Sequence, residues 1–208
     1  YIALLGQLDT SEQYDMELIT SNLRIGVSGG APLPVQVIHA FEQKFKVALL
    51  EGYGLSETSP AAAFTFLDIE RIPGSVGQPL WGVEIELRDE HGQSVAVGEI
   101  GEICIRGCNV MKGYYKRPEE TSKAIRDGWF YTGDLGKIDA SGNVFVVDRV
   151  KDMILRGGYN VYPREIEEVL MTHPAIAQAA VVGVPESSLG EEVKAFVILK
   201  PNAQLTEQ

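Results

Sequence analysis

The chain has 208 residues, of which 45% are hydrophobic and 23% are charged, and its formal net charge is −11 at pH 7. This apolar content predicts a soluble globular protein with a sizeable core in one or two domains. The acidic balance argues against nucleic acid and anionic membranes as partners, because neither attracts a negatively charged surface. No stretch approaches the roughly 20 apolar residues of a membrane-spanning helix, so we expect no transmembrane segment.

The chain contains two cysteines, Cys104 and Cys108. Two thiols at this spacing indicate neither a disulfide framework nor a zinc site, and they favour reduced cysteines in a cytoplasmic protein. The sequence begins at Tyr1 without an initiator Met and stops at Gln208 in a polar stretch directly after a predicted strand. We therefore expect it to be part of a longer protein.

The first part of the chain predicts a strand, a turn, a helix and a second strand. Leu23 to Val27 is a short β-like run, and the following SGGAPLP (28–34) carries the glycines and prolines of a turn. Helical spacing follows in the apolar residues Val35, Ile38, Phe41 and Phe45. Val47 to Leu50 then forms a buried strand that leads into EGYGLSET, and this order indicates α/β layering.

After Pro73 the pattern changes to short alternating segments, such as VEIELRDEHGQSV and GEIGEICIRG, which predict antiparallel hairpins. Gly142 and Asn143 form another predicted hairpin turn. The charged stretch from Asp148 to Asp152 precedes a unit with its own turn, helix and strands. We therefore predict a domain of residues 1–148, with an α/β part (1–75) and a β-rich subdomain (76–148), and a second domain of residues 149–208. The fold class is mixed, α/β and α+β.

The predicted second domain contains one helix and two strands. Pro163 suits the first turn of a helix. The apolar stripe of this helix is predicted to comprise Ile166, Val169 and Leu170. The segments AIAQAAVVGVP and VKAFVILK supply the strands.

YGLSET follows the predicted strand 47–50 and combines an aromatic ring, a glycine, a hydroxyl and a carboxylate. Loops after strands commonly build ligand sites in open α/β sheets. Tyr53 is suited to stacking on a purine, Ser56 to bonding a phosphate oxygen, and Glu57 to holding Mg²⁺ between phosphates. The alternative is an ordinary polar turn with an exposed glutamate.

Two further motifs carry small or acidic residues at predicted turns. The glycines of SGGAP (28–32) allow a flat ligand to approach the backbone, although a generic strand-to-helix turn explains them equally well. In WFYTGDLG (129–136), Asp134 is expected at a turn, where its carboxylate can accept hydrogen bonds from two ribose hydroxyls. The alternative is a capped turn in which Asp134 bonds its own backbone.

The fourth motif is DRVKDMILRGGYNVYPREIEE (148–168), which joins the two predicted domains. Gly157 and Gly158 permit close backbone approach, and positive charge is supplied nearby by Arg149, Lys151 and Arg156. The alternative is an interdomain linker with solvated charges. The apolar residues interspersed in this stretch disfavour a plain linker.

Taken together and in this order, the motifs resemble the adenylate-forming superfamily, which includes acyl-CoA synthetases, aryl ligases, firefly luciferase and peptide-synthetase adenylation domains. The resemblance covers nearly the whole chain and is greatest to fatty acyl-CoA synthetases of the long-chain fatty-acid-CoA ligase type. It implies that a carboxylate attacks the α-phosphate of ATP to give acyl-AMP and pyrophosphate. The thiol of coenzyme A then displaces AMP, after the small domain rotates.

The resemblance also implies roles for individual residues. Ser56 lies near phosphate, Glu57 binds Mg²⁺, and Lys151 is the hinge. Asp134 and Arg149 hold the ribose. Gly158 borders the tunnel for the pantetheine of CoA. The adenine site is implied to include Gly29, Gly30, Ala31, Tyr53 and Gly54.

Some expected parts of such an enzyme lie outside this sequence. The resemblance implies a phosphate loop before residue 1 and a lysine beyond Gln208 that stabilises the adenylation transition state. We therefore expect the 208-residue piece alone to be inactive. Two departures from the family pattern are Ser56, where a threonine is more usual, and Leu155, where some relatives carry a lysine.

Three alternatives remain open at this stage. An aryl acid is the second choice of substrate after a fatty acid. A peptide-synthetase-like adenylation domain would usually carry an aspartate at the position of Lys151, which favours a CoA ligase here. Outside enzymes, the chain could be a truncated module that only binds nucleotide.

Overall fold

The structure is a computed structural model that describes residues 1, 4–6, 14–31 and 33–204. The elements of its first sheet follow helix α1 (Met16–Asn22). Strand β1 runs parallel to β2, and helix α2 (Val35–Phe45) connects them. On the side of β2 away from β1, strand β3 pairs antiparallel with β2, and β4 pairs antiparallel with β3. The sheet has the order β1-β2-β3-β4, with β1 at Ile25–Gly29, β2 at Ala48–Gly54, β3 at Ala61–Phe64 and β4 at Gln78–Pro79.

The α/β layering predicted for this part is confirmed, and the helical spacing explains it. Ile38, Phe41 and Phe45 are buried on one side of α2, where they pack with Leu49 of β2. The helix ends at Phe45, and the next residue, Lys46, has a left-handed φ of 57°. Strand β1 begins two residues later than the predicted Leu23 and extends into the glycine-rich segment.

The second sheet contains the predicted hairpins. Its order is β5-β6-β8-β7, and β9 pairs with β8 outside this path. Helix α3 (Pro118–Ala124) precedes β7, and Gly142, with a φ of 83°, lies in the turn between β8 and β9. The strands are β5 at Val83–Arg88, β6 at Ile100–Gly107, β7 at Ile125–Arg126, β8 at Trp129–Ile138 and β9 at Val144–Arg149. A central cluster of Ala62, Leu87, Ile103, Ile105 and Val144 joins this sheet to the first.

The predicted turn at Asp134 is wrong. Asp134 lies inside the ten-residue strand β8. Gly133, with a φ of 75°, lies in a bulge where β8 has more residues than the paired stretch of β6. A glycine next to an aspartate is also common in turns, so the bulge and a turn have the same sequence pattern. Tyr53 and Gly54 likewise lie within β2 and not in a loop after it, because the strand continues past the apolar run.

The third sheet is formed entirely by residues after Met153. Its order is β11-β10-β13-β12, with all neighbours antiparallel. Helix α4 (Pro163–Met171) has Pro163 in its first turn, as predicted. The strands are β10 at Ile154–Arg156, β11 at Tyr159–Val161, β12 at Ile176–Glu186 and β13 at Gly190–Leu199.

The buried apolar stripe of α4 is narrower than predicted, because Val169 is 69% exposed.

The mixed α/β and α+β fold class is confirmed. The boundary between residues 148 and 149 stays a prediction. No helix in the described ranges is long and apolar enough to span a membrane.

Candidate functional site

A cleft of about 610 Å³ opens where the first sheet, the end of the second sheet and helix α4 meet. Its walls come from parts of the chain that are far apart in sequence, around residues 28–31, 51–55, 76, 134, 146–152, 163–167 and 181–182. Seven of the predicted site residues line it together, namely Gly29, Gly30, Ala31, Tyr53, Gly54, Asp134 and Arg149. The fold therefore gathers residues of four separate motifs around one cavity.

At the wall of this cleft, one carboxylate is bound from two sides. The Tyr53 hydroxyl donates to Asp134 Oδ2 at 2.7 Å, and Arg149 Nε donates to Asp134 Oδ1 at 3.1 Å. Asp134 and Arg149 are directly paired in the register of β8 and β9, so the pairing of the two strands brings them together. Each carboxylate oxygen keeps further acceptor capacity, because an ionised carboxylate has about four lone-pair sites.

Tyr53, Asp134 and Arg149 differ sharply in how far they are buried. The Asp134 side chain is 8% exposed, whereas the Arg149 side chain is 56% exposed. Burial, reinforced by the negative charge of Asp134, raises the pKa of Tyr53. The phenol therefore keeps its proton in ordinary buffers and acts as a fixed donor. An oriented, largely buried carboxylate beside an open cleft is suited to binding hydroxyl groups of a ligand.

Glycines bring backbone close to the cleft at two places. Gly30 has a φ of 82°, which favours glycine, and no heavy atom would lie within 4 Å of an added Cβ. At Gly54 an added Cβ would lie 1.8 Å from the Pro60 carbonyl oxygen, so any side chain is excluded by the chain itself. The glycine at position 54 is thus required by packing, whatever the cleft binds.

Ser56 and Glu57 do not line the cleft. They lie in a single turn of 3₁₀-helix (Ser56–Thr58) that follows β2, and Ser56 is exposed. The buried Thr58 holds this turn, since its hydroxyl oxygen accepts the N–H of Leu55 at 2.9 Å. The turn projects beyond the end of the strand.

Glu57 is fixed by a loop of the second sheet. Tyr114 donates its hydroxyl to Glu57 Oε1 at 2.9 Å, and the Met111 N–H donates to the Glu57 carbonyl at 2.8 Å. Within the described residues, no three His, Cys, Asp or Glu side chains converge as a metal site. A single carboxylate still fits Mg²⁺ chemistry, because this ion commonly takes one or two protein carboxylates together with substrate phosphates and water.

The other two predicted residues also lie outside the cleft. Lys151 is exposed in the turn between β9 and β10. Gly158 is exposed in the turn between β10 and β11, with a φ of 85°. Arg156, the nearby positive group, is held by Glu192 through bonds of 2.7 and 2.8 Å.

Five charged residues of the cleft were not among the predicted site residues, namely Glu51, Asp148, Asp152, Arg164 and Glu167. Glu51 lines it, and burial raises the pKa of this carboxyl. Its spacing of two residues from Tyr53 on one strand could have indicated it, because alternate strand residues share a face. Arg164 donates its backbone N–H to Asp148 Oδ2 at 3.1 Å and its guanidinium to the Val146 carbonyl. Nothing in the sequence marks this contact between α4 and β9.

Comparison with protein families gives a clear result. Residues 2–115 match the model of the AMP-binding enzyme family, and residues 165–208 match the AMP-binding enzyme C-terminal domain. The chain belongs to the AMP-binding enzyme family. The predicted resemblance to the adenylate-forming superfamily is therefore confirmed.

Among curated relatives of this AMP-binding enzyme, a long-chain-fatty-acid–CoA ligase of Bacillus subtilis is 46% identical over 205 residues. The match covers 98% of the chain but 36% of that relative. A medium/long-chain-fatty-acid–CoA ligase of Mycobacterium tuberculosis is 40% identical, again with 98% of the chain and 36% of the relative covered. The chain thus spans about a third of the length of these relatives.

A solved structure of ATP-bound MatB from Rhodopseudomonas palustris is 39% identical to the chain and superposes with a TM-score of 0.91. The match covers 99% of the chain and 41% of that protein. Apo MatB gives a TM-score of 0.78 over the same shares of both chains. The chain as a whole therefore superposes more closely on the ATP-bound structure than on the apo structure.

Proposed function

We propose that the full-length protein is an AMP-forming acyl-CoA ligase that activates a fatty acid with ATP and transfers the acyl group to coenzyme A. The carrying observation is the cleft carboxylate of Asp134, bound by Tyr53 and Arg149, in a chain of the AMP-binding enzyme family. The names of the Bacillus and Mycobacterium relatives support a fatty acid as the substrate.

In this proposal the cleft binds the nucleotide. Asp134 accepts hydrogen bonds from the ribose hydroxyls, and Arg149 holds that carboxylate in place. Tyr53 provides an aromatic surface for the adenine, which also contacts the backbone at Gly29, Gly30, Ala31 and Gly54. The likeness to ATP-bound MatB supports this assignment.

Ser56 and Glu57 are proposed to act at the phosphates, beyond the end of β2. When bound, Mg²⁺ would supply positive charge that neutralises the charge developing on the phosphates during transfer. Glu57 would supply its protein carboxylate, with Tyr114 fixing one of the two oxygens. Ser56 would donate its exposed hydroxyl to a phosphate oxygen.

Coenzyme A is proposed to enter in the second half-reaction, after the predicted second domain (149–208) rotates, from Lys151 onward, relative to residues 1–148. That rotation would carry Gly158 from its present position outside the cleft to the pantetheine tunnel. We also propose a cytoplasmic location, in line with the unpaired thiols of Cys104 and Cys108.

The test separates the two half-reactions in the full-length protein. Pyrophosphate release is measured with ATP, Mg²⁺ and a panel of fatty, aryl and amino acids, and thioester formation is measured after CoA is added. Fatty-acid-dependent release followed by acyl-CoA formation is expected. Release with amino acids and no CoA thioester would indicate a peptide-synthetase-like domain, and ATP binding without any release would indicate a binding module. The 208-residue piece alone is expected to show no turnover.

A further inference from the structure

The bulge in β8 replaces regular strand pairing with side-chain hydrogen bonds. On β6, Glu102 pairs with Leu135 and Cys104 pairs with Tyr131. Only Ile103 lies between the two β6 residues, while the intervening β8 segment is Thr132, Gly133 and Asp134. The N–H groups of this longer segment have no regular partners on β6 and need other acceptors.

Glu102 and Thr132 supply those acceptors. The Gly133 N–H donates to Glu102 Oε1 at 2.9 Å, and the Asp134 N–H donates to Thr132 Oγ1 at 3.0 Å. Thr132 Oγ1 in turn donates to the Ile103 carbonyl at 2.8 Å. The Gly133 N–H is thereby bonded directly to β6, and the Asp134 N–H is connected to β6 through the Thr132 hydroxyl.

Of the two residues whose side chains accept these N–H groups, Thr132 belongs to the bulged segment and Glu102 lies on the neighbouring strand β6. Its carboxylate accepts from Gly133, a residue with a φ of 75° and no side chain to limit its rotation. An orphaned N–H at such a glycine leaves the peptide free to turn toward another acceptor. Because Asp134 is the next residue, a turn there changes where its carboxylate points.

We propose that Glu102 is a positioning residue for Asp134, which it holds in the orientation that binds the ribose of ATP. The inference rests on the proposed role of Asp134. Glu102 does not line the cleft, so it acts through the Gly133 peptide and not by contact with nucleotide. In this proposal the Gly133 N–H requires the acceptor oxygen of Glu102 more than it requires the charge of that side chain.

The experiment compares ATP affinity in full-length variants by calorimetry, with thermal unfolding as the check on folding. Glu102→Met keeps similar length without a strong acceptor and should weaken ATP binding roughly tenfold. Glu102→Gln keeps an acceptor oxygen and should restore most of the affinity. If the Met variant fails to fold, Glu102→Asp is used instead. Its side chain is one methylene shorter, so its carboxylate lies farther from the Gly133 N–H.

A matched control is available on the preceding turn. Glu99, which like Glu102 lies outside the cleft lining, also accepts a backbone N–H through its carboxylate, but from Ala96 at 3.0 Å and not from the bulge in β8. Glu99→Met removes the same kind of bond and should leave ATP affinity unchanged. An equal loss in the Glu99 and Glu102 variants would mean that general destabilisation is responsible, and would overturn the proposal.

A double-mutant cycle with Asp134→Ala decides the route of the effect. If Glu102 acts through Asp134, Glu102→Met should cost little further ATP affinity once Asp134 is removed. Full additivity of the two losses overturns the positioning role. If Asp134→Ala itself leaves ATP affinity intact, the ribose assignment fails instead, so the two failures are distinguishable.

Discussion

The Tyr53 hydroxyl and Asp134 Oδ2 lie 2.7 Å apart, although the two residues are separated by 81 positions in the sequence. This bond connects the first sheet to the second at the wall of the cleft. It also fixes one oxygen of a carboxylate that is only 8% exposed.

Tyr53→Phe should remove this bond while keeping the ring. We expect the full-length protein to lose about 1.5–3 kcal/mol of stability, because a hydrogen bond to a buried charged acceptor is lost. ATP affinity should fall less than in Asp134→Ala, since Arg149 still orients the carboxylate. Thermal unfolding and ATP calorimetry test both expectations. An unchanged melting temperature would show that this hydrogen bond contributes nothing to the stability of the folded protein.

Glu57→Gln should raise the Mg²⁺ concentration required for adenylation, because the amide keeps the size but loses the charge that a hard cation prefers. The Tyr114 hydroxyl can still donate to the amide oxygen, so the turn should stay in place. Mg²⁺ titrations of pyrophosphate release are the measurement, with Mn²⁺ binding in the presence of ATP as a readout independent of turnover. Identical titration curves would remove Glu57 from the metal site.

Lys151→Pro should separate the two half-reactions. Proline fixes φ near −65° and restricts Val150, so a pivot at this position would be limited to one orientation. If that orientation is the adenylating one, acyl-AMP should still form while transfer to CoA nearly stops. Lys151→Ala removes the charge but leaves the backbone free, and should preserve both steps. Equal loss of both steps in the proline variant would indicate a structural role.

Glu51→Gln should stabilise the ligand-free protein at pH 8. Burial raises the pKa of Glu51 above the ordinary value of 4.5, so the charged form is disfavoured in the folded state. This cost is complete above the raised pKa, decreases as the pH falls through it, and is absent below 4.5.

The advantage of the Gln variant in melting temperature should therefore shrink as the pH falls from 8 to 4.5. Glu90, whose side chain is 86% exposed, provides the control. Glu90→Gln should change the melting temperature little at either pH, because solvent screens its charge. A constant advantage for Glu51→Gln across this range would contradict the argument.

Periodicity predicted much of the fold, because burial of one face imposes it directly. The spacing of Ile38, Phe41 and Phe45 located helix α2 within the chain. The same reasoning failed at Val169, since a short helix covers only part of the third sheet and leaves that position 69% exposed. Amphipathic spacing indicates which residues can share a face, but not whether anything covers that face.

The site was predicted less completely, because its parts depend on pairing between distant strands. Asp134 was identified by its residue type, yet it lies inside β8 beside a bulge whose Gly133 N–H donates to Glu102 of another strand. Arg164 reaches the cleft only because α4 folds back onto β9. Such contacts have no local pattern in the sequence.

The last main-chain bond before Lys151 runs from the Val150 N–H to the Gly133 carbonyl, at 2.9 Å. Together with the ion pair of Arg149 and Asp134, it keeps the chain attached to the second sheet up to the residue before the proposed pivot. Rotation at Lys151 would then leave the sugar contacts of the nucleotide undisturbed. A reactive acyl-AMP would stay anchored by its ribose throughout the movement, so its escape into water and loss by hydrolysis would remain slow compared with delivery to the thiol.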